Sequence, residues 1–490
     1  MERIKNYDET NPLSIEKYGQ QLIGKTFLDV IKEADLNDEV KISVIDKYGN
    51  ARRKGGLGNL LEEIYFGYKA NSDQHADFYE AGVELKASPY EKLRKGRLRA
   101  GERLVITMIG YDKPIDLDFN SSHVYEKIRI ILLVYYLRNK ELGNNLLYPI
   151  EFVKLFSPPE EDLKIIEDDY KKIVSKIQQG KAHELSEGDT MYLGACTKGS
   201  TALKSTVPQY YAPEIPARRR AFCLKNSYMT YILNNYIVHN IDTYESIVHD
   251  AIELENTTFE QLIFSKINSY IGYTDRELCN ILGREYNNNK AQWIDMAYRM
   301  LGIKSNKAEE FVKANIVVKA IRLEEDGSMS ENSSLPQIKL MDFVNEEWED
   351  STLYSYFEET RFLFVVFQKD GGGYKLKGCQ LWNMPRTDLD VIVKAGWENI
   401  RAVVASGIKL TKKETAAGVI IKNNLPKKGD NPIIHIKPHS GKRFYILESG
   451  EVIGDGSFSD AEELPDGVWM QKQSFWISNR YILSQLNKNL

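Results

Sequence analysis

Apolar and polar positions follow two periods along this chain, and stretches of each interleave. Residues 14–35 place Ile15, Leu22, Ile23 and Val30 at helical spacing, which predicts an amphipathic helix. A loop with Gly55, Gly56 and Gly58 follows, and GNLLEEIYFGYKA predicts a short helix starting near Gly58. The polar stretch NSDQHADFYEAG reads as a loop, and VELKAS after it has strand alternation. KLRKGRLRAGER is a basic connection or hairpin, and RLVITMIGY, rich in Val and Ile, is a strand. HVYEKIRIILLVYYLRNK fits either strand or helix. Residues 160–180 are charged and helical, and NSYMTYILNNYIV predicts a helix near the end of the first half.

After residue 240 the pattern starts again. Residues 257–302 read as helical, EEFVKANIVVKAIRL as a strand and RFLFVVFQKD as another. QSFWISNRYILSQL parallels the earlier RAFCLKNSYMTYIL, with Phe222 matching Phe475, Asn226 matching Asn479 and Tyr228 matching Tyr481. The expectation is an internal duplication: residues 1–240, a linker over 241–256, and residues 257–490. Strands interleaved with helices predict an α/β class in each half, an α+β mixed sheet flanked by helices.

Composition narrows the class. A length of 490 residues exceeds one ordinary domain, and 42% hydrophobic content supports packed cores. The net charge of -5 gives no global basic signature, which counts against nonspecific coating of nucleic acid but not against a DNA enzyme with a local basic cleft. Basic runs exist at Lys92, Arg94, Lys95, Arg97, Arg99 and Arg103, and at Arg218, Arg219 and Arg220. Cys196, Cys223, Cys279 and Cys379 form no CxxC and sit beside no histidine at zinc spacing, so the expected home is a reducing cytoplasm. The polar N-terminus has no signal-peptide core, and the apolar run at 128–136 is too short for a bilayer, so no membrane role is expected.

The segment ADFYEAGVELKASP carries the candidate chemistry. On a strand, Glu84 and Lys86 share one face, while Val83, Leu85 and Ala87 turn to the core. Asp77 arrives from the preceding turn. Asp77, Glu84 and the Leu85 carbonyl form an oxygen donor set suited to Mg2+, with Lys86 beside the attacking water and phosphate. Taken alone, the spacing fits equally a surface strand with a salt-bridged pair. An upstream helix adds a further carboxylate, Glu62. His75 reads as a solvated loop histidine and His123 as a structural one.

Several ordered blocks carry a resemblance. KGGLGNLLE, ADFYEAGVELKASP, SSHVYEK, GKAHELSEGDTMYL and ACTKGS resemble segments of MutH, the mismatch-repair endonuclease that cuts at GATC. They resemble even more closely the two-domain type II restriction endonucleases related to it. The resemblance implies a restriction-endonuclease-like MutH fold, duplicated, with Glu62, Asp77, Glu84, Lys86 and Lys127 catalytic. It implies DNA contacts from Lys54, Thr197 and Lys198, with Lys198 reading a base, and Arg218, Arg219 and Arg220 on phosphates. Cys196 stands where MutH has an arginine, and Cys223 where it has a tyrosine.

Sliding the first half onto the second sets Glu310 on Asp77, Phe311 on Phe78, Val317 on Glu84 and Lys319 on Lys86. The second half therefore loses a metal ligand and is expected to bind DNA without cutting it. Lys437, His439 and Lys442 are its candidate contacts. The implied function is a Mg2+-dependent type II restriction endonuclease, a hydrolase of a restriction-modification system. Its partners are expected to be double-stranded DNA, a cognate DNA methyltransferase and, on DNA, a second copy of itself. The alternatives are a GATC-directed mismatch-repair nickase and a non-cutting DNA-binding regulator.

Overall fold

A computed structural model describes residues 6–49, 56–69, 75–93, 96–198, 205–239, 244–287, 289–305, 307–416, 418–439 and 441–490. Lys54, Arg94 and Lys95 lie outside the described residues. The chain forms two compact units. The first comprises 1–262 with 307–316, and the second 263–306 with 317–490. The described part of the expected linker packs within the first unit: Ile247 and Leu254 are buried, and Lys164 Nζ donates to the Ala251 carbonyl at 2.9 Å.

In the first unit, β1 (Glu84–Lys92) pairs with β2 (Leu98–Ala100) as the basic hairpin. On its other edge β1 runs parallel to β4 (Ile131–Leu137), which pairs antiparallel with β5 (Ile150–Phe156). The order is β2-β1-β4-β5. A second sheet sets β9 (Arg220–Leu224) between β3 (Leu104–Met108) and β6 (Leu193–Thr197), all antiparallel. The short β7 (Thr206–Val207) and β8 (Ala217–Arg218) form a separate hairpin.

The ambiguous run around residue 130 contains both elements in succession. Ser122 Oγ accepts from Tyr125 N–H and starts a helix, His123–Ile128, and β4 follows at Ile131. Strand β4 is central, so Ile131, Leu132, Leu133 and Val134 are all buried, and the expected alternation is absent. Leu132 and Val134 pack with Val83, Leu85, Phe27, Leu61 and Phe66 in the core of this unit.

The helix expected over 14–35 is broken. Pro12–Gly19 and Phe27–Glu33 are separate helices, because Gly24 takes φ 87° and Thr26 begins a new capping box with Asp29. Ile23 falls in the break and is exposed, not on the buried face. The helix Glu160–Gln178 opens with Glu160, Glu161 and Asp162 at its positive end. On its buried face Asp169 accepts the N–H groups of Met191, Tyr192 and Leu193 at 2.7, 2.6 and 2.9 Å, which fixes where β6 begins.

The second unit repeats this plan. Strands β10 (Ile316–Leu323), β12 (Arg361–Asp370) and β13 (Gly373–Trp382) form a sheet in the order β10-β12-β13, matching β1-β4-β5. Strands β11 (Ser333–Gln337), β16 (Ile434–Pro438) and β21 (Gln473–Ile477) form a second in the order β11-β21-β16, matching β3-β9-β6. The registers coincide. Ala195 opposes Phe222 and Ile436 opposes Phe475; Lys198 N–H donates to the Arg219 carbonyl, and His439 N–H to that of Lys472. The fold is thus a duplicated mixed α/β architecture. Additions in the second copy are the hairpin β14 (Leu410–Thr415) with β15 (Gly418–Asn423) and a small sheet of β17 (Phe444–Ile446), β18 (Val452–Gly454), β19 (Ala461–Glu463) and β20 (Trp469–Gln471).

The segment expected to be one strand from Glu309 divides. Glu309–Ala314 is a helix in the first unit, Asn315 turns the chain at φ 54°, and β10 begins at Ile316. Among the described residues, no helix is long and apolar enough to cross a membrane.

Candidate active site

The site begins at a turn that closes on itself. Phe78 and Val83 exchange backbone hydrogen bonds at 2.9 and 3.2 Å, and Gly82 between them has φ 64°. That positive φ favours glycine; a Cβ there would also meet the tip of the Arg129 side chain, 2.1 Å from Nη2, and displace it. The turn brings Asp77 back to the first residues of β1. Leu85 N–H donates to Asp77 Oδ2 at 2.9 Å, and Asp77 N–H to Glu84 Oε2 at 3.3 Å. Leu85 itself turns its side chain into the core.

Glu84 is 1% exposed and is held by two ammonium groups. Lys86, on the same face of β1, donates to Oε1. Lys127 donates to Oε1 at 3.2 Å and to Oε2 at 3.3 Å, brought there by the parallel pairing of Glu84 with Ile131 just beyond its helix. A buried carboxylate needs this compensation. Lys86 keeps 22% of its side chain exposed and Asp77 is half-buried, so these two form the accessible edge of the cluster.

Charge in the cluster is strained toward the acidic side. Burial first, and Glu84 next, push the Asp77 carboxyl up to about 6. Burial and then Asp77 push Glu62 up to about 7. Burial acts to lower Lys86, but Glu84 and Asp77 outweigh it and hold the ammonium above the usual lysine range. Glu62 lies in a wide helical turn over Leu61–Phe66, and its carbonyl accepts from Tyr68 N–H at 3.0 Å. The structure thus gathers Asp77, Glu84, Lys86 and Lys127 in direct contact, with Glu62 acting on them electrostatically. Asp77 and Glu84 side by side, with the Leu85 carbonyl in the same strand, offer oxygen donors only, a set that fits a hard divalent cation.

Tyr68 was not singled out from the sequence. Its hydroxyl is buried with no hydrogen-bond partner among the described residues, and Asp77, Glu62 and Glu84 add to the effect of burial in raising its pKa. It sits in a run read only as helix, so no signal marked it.

The expected DNA contacts separate into two groups. Thr197 ends β6 and Lys198 follows it, half-buried, with Arg218 half-buried and Arg219 exposed nearby in the fold. Arg220 is a correction. It is 1% exposed, its guanidinium donates to the Ala195 carbonyl, and it braces β9 against β6 where phosphate does not reach. Cys196 and Cys223 are buried side by side; Cys223 lies near Glu187, which is paired with Arg103.

In the alignment of the two halves Val317 falls on Glu84. Lys319 Nζ instead donates to the Ser334 carbonyl at 3.1 Å, and burial lowers its pKa. Glu310, aligned with Asp77, lies in the first unit and accepts there from the N–H groups of Ile247 and Val248. By strand register Lys437 occupies the position of Cys196 and His439 that of Lys198. Lys437 lies 5.6 Å over the Trp476 ring, His439 Nδ1 is 2.7 Å from Ser474 Oγ, and Lys442 is exposed.

Residues 66–169 match the family of the DNA mismatch repair enzyme MutH. The chain is 35% identical over 461 residues to the type II restriction enzyme Sau3AI of Staphylococcus aureus, covering 88% of this chain and 92% of that protein. It is also similar to two DNA mismatch repair proteins MutH. The protein of Vibrio campbellii is 24% identical over 233 residues, 45% of this chain and 92% of that one. That of Yersinia enterocolitica is 27% identical over 186 residues, 36% and 75% respectively.

Proposed function

Since this chain belongs to the MutH-like type II restriction endonucleases, we propose that its first unit hydrolyses both strands of DNA at GATC using Mg2+ held by Asp77 and Glu84. The observation that carries the reading is the single cluster in which Asp77, Glu84, Lys86 and Lys127 meet. A Mg2+ ion held there would supply Lewis-acid chemistry toward a phosphate oxygen and a water. Asp77 and Glu84 supply its carboxylate ligands, with the Leu85 carbonyl as a third oxygen. Lys86, held as an ammonium at the accessible edge, neutralises charge developing on the phosphate and orients the attacking water. Lys127 holds Glu84 in place. Glu62 orders the acidic side of the site from the neighbouring helix.

Lys198 reads guanine in the major groove, and Arg218 and Arg219 fix the phosphate backbone. The second unit binds a second copy of the site and stimulates cleavage in the first, through Lys437, His439 and Lys442. Valine at position 317, aligned with Glu84, supports a binding role without cutting. The enzyme acts in the cytoplasm beside a methyltransferase that protects host DNA, and it associates with itself on DNA.

Purified protein with Mg2+ and plasmid tests this. Double-strand fragments ending at GATC are expected; nicks alone, or fragments with other ends, would overturn it. The second-site role predicts faster cleavage of plasmids with two sites than with one. Lys437→Ala with His439→Ala should remove that difference.

A further inference from the structure

Beside the catalytic cluster, and outside the reading above, lies a second set of donors. We infer that His75, His123 and Glu126 form a separate cation site, one that takes a divalent metal of the zinc, cobalt or nickel class. His75 Nδ1 lies 3.0 Å from Glu126 Oε1, and His123 Nδ1 lies 3.6 Å from Glu126 Oε2. The imidazole rings are 5.7 Å apart and nearly perpendicular, at 86°. Among the described residues this is the one group of three or more His, Cys, Asp or Glu side chains whose ligand atoms all lie within 4.8 Å of each other. Even the catalytic carboxylates do not meet that condition.

Two further features suit a metal. His123 Nδ1 is shielded from water, and its contact with Glu126 Oε2, at 3.6 Å, is longer than a normal hydrogen bond. Glu126 is oriented by a bond from Ala76 N–H to Oε1 at 3.3 Å, the kind of outer contact that fixes a ligating carboxylate. Two imidazoles and one carboxylate favour borderline transition metals over magnesium. The side chains of His75 and His123 remain 49% and 42% exposed, which leaves room for water to complete the coordination.

The location gives the site a task. His75 precedes Asp77 by two residues and Glu126 adjoins Lys127. A metal here ties the loop that delivers Asp77 to the helix that delivers Lys127. The competing arrangement is a pair of protonated histidines on Glu126, with no metal affinity.

Cobalt(II) titration of the metal-stripped full chain distinguishes the two. Four-coordinate cobalt with nitrogen ligands absorbs strongly in the visible, whereas six-coordinate cobalt on oxygen does so weakly. The wild type is expected to bind one equivalent with intense bands that zinc removes. His75→Ala and His123→Ala should each lose the bands, and Asp77→Ala should retain them. His75 is exposed, so its variant tests the site even if His123→Ala disturbs its helix. Absence of bands in the wild type, their survival in His75→Ala, or their loss in Asp77→Ala would overturn the inference. Cleavage with Mg2+ alone is measured separately.

Discussion

Lys127 Nζ bridges both oxygens of Glu84, at 3.2 and 3.3 Å, across 43 residues of chain. Lys127 therefore sets the position of the buried carboxylate. Lys127→Ala is expected to lower the cleavage rate by about 10²–10³-fold. Its stability cost should fall below the about 3–5 kcal/mol typical of a broken buried pair, because Lys86 stays on Glu84. Single-turnover cleavage and thermal unfolding measure the two effects; wild-type cleavage in the variant would remove Lys127 from the site.

Asp77→Ala removes a half-buried carboxylate from the accessible edge and one acceptor of the Leu85 N–H. Cleavage should drop at least about a thousandfold while DNA binding stays detectable in a gel-shift assay. Cleavage at the ordinary rate would place the chemistry elsewhere.

The raised carboxyls give a pH signature. Unfolded carboxyls titrate near about 4, whereas Asp77 is pushed up to about 6 and Glu62 to about 7. Between those values the folded protein binds more protons than the unfolded chain, so without cation these groups lower stability as pH rises from about 4 to about 7. Mg2+ competes with the same protons. Its effect on Tm should be small at about pH 5 and large by about pH 8, and cleavage should decline as pH falls through about 7 and then about 6. A Mg2+ effect on Tm that is the same across this window would contradict the assignment.

Lys313 and Asp162 form a buried pair at 2.8 Å within the first unit. Burial, the largest influence on Asp162, raises its carboxyl, and Lys313 works against that rise. Lys313→Ala should destabilise the first unit by about 3–5 kcal/mol, read by chemical denaturation. A change within the error of the fit would mean the pair contributes nothing.

Neighbouring arginines should behave differently. Arg219→Ala, at an exposed position, should weaken DNA binding across sequences and reduce its salt slope by about 1. Arg220→Ala should instead lower stability by leaving the Ala195 carbonyl and the space beside it unfilled. Equal salt slopes for Arg219→Ala and wild type would remove Arg219 from the interface.

Much of the candidate cluster was legible because it is local. Asp77, Glu84 and Lys86 fall within one turn and one strand, and period-two alternation alone puts Glu84 and Lys86 on one face. Lys127 needed the family resemblance, since its approach depends on the parallel pairing of β1 with β4. The same alternation would have separated Arg219 from Arg220, had the boundary of β9 been known. Helix ends were harder. Gly24 and Thr26 break a run whose apolar spacing continues through them, and Asn315 divides a segment whose residues suit either element. Tyr68 was invisible because its burial beside Asp77, Glu62 and Glu84 depends on the tertiary fold.

The helix Glu309–Ala314 belongs to the first unit although it is encoded well inside the second repeat. The inheritance of the two repeats is therefore interlocked. A gene halved at the repeat boundary would leave the amino-terminal product without Lys313 and the carboxy-terminal one with an orphaned helix.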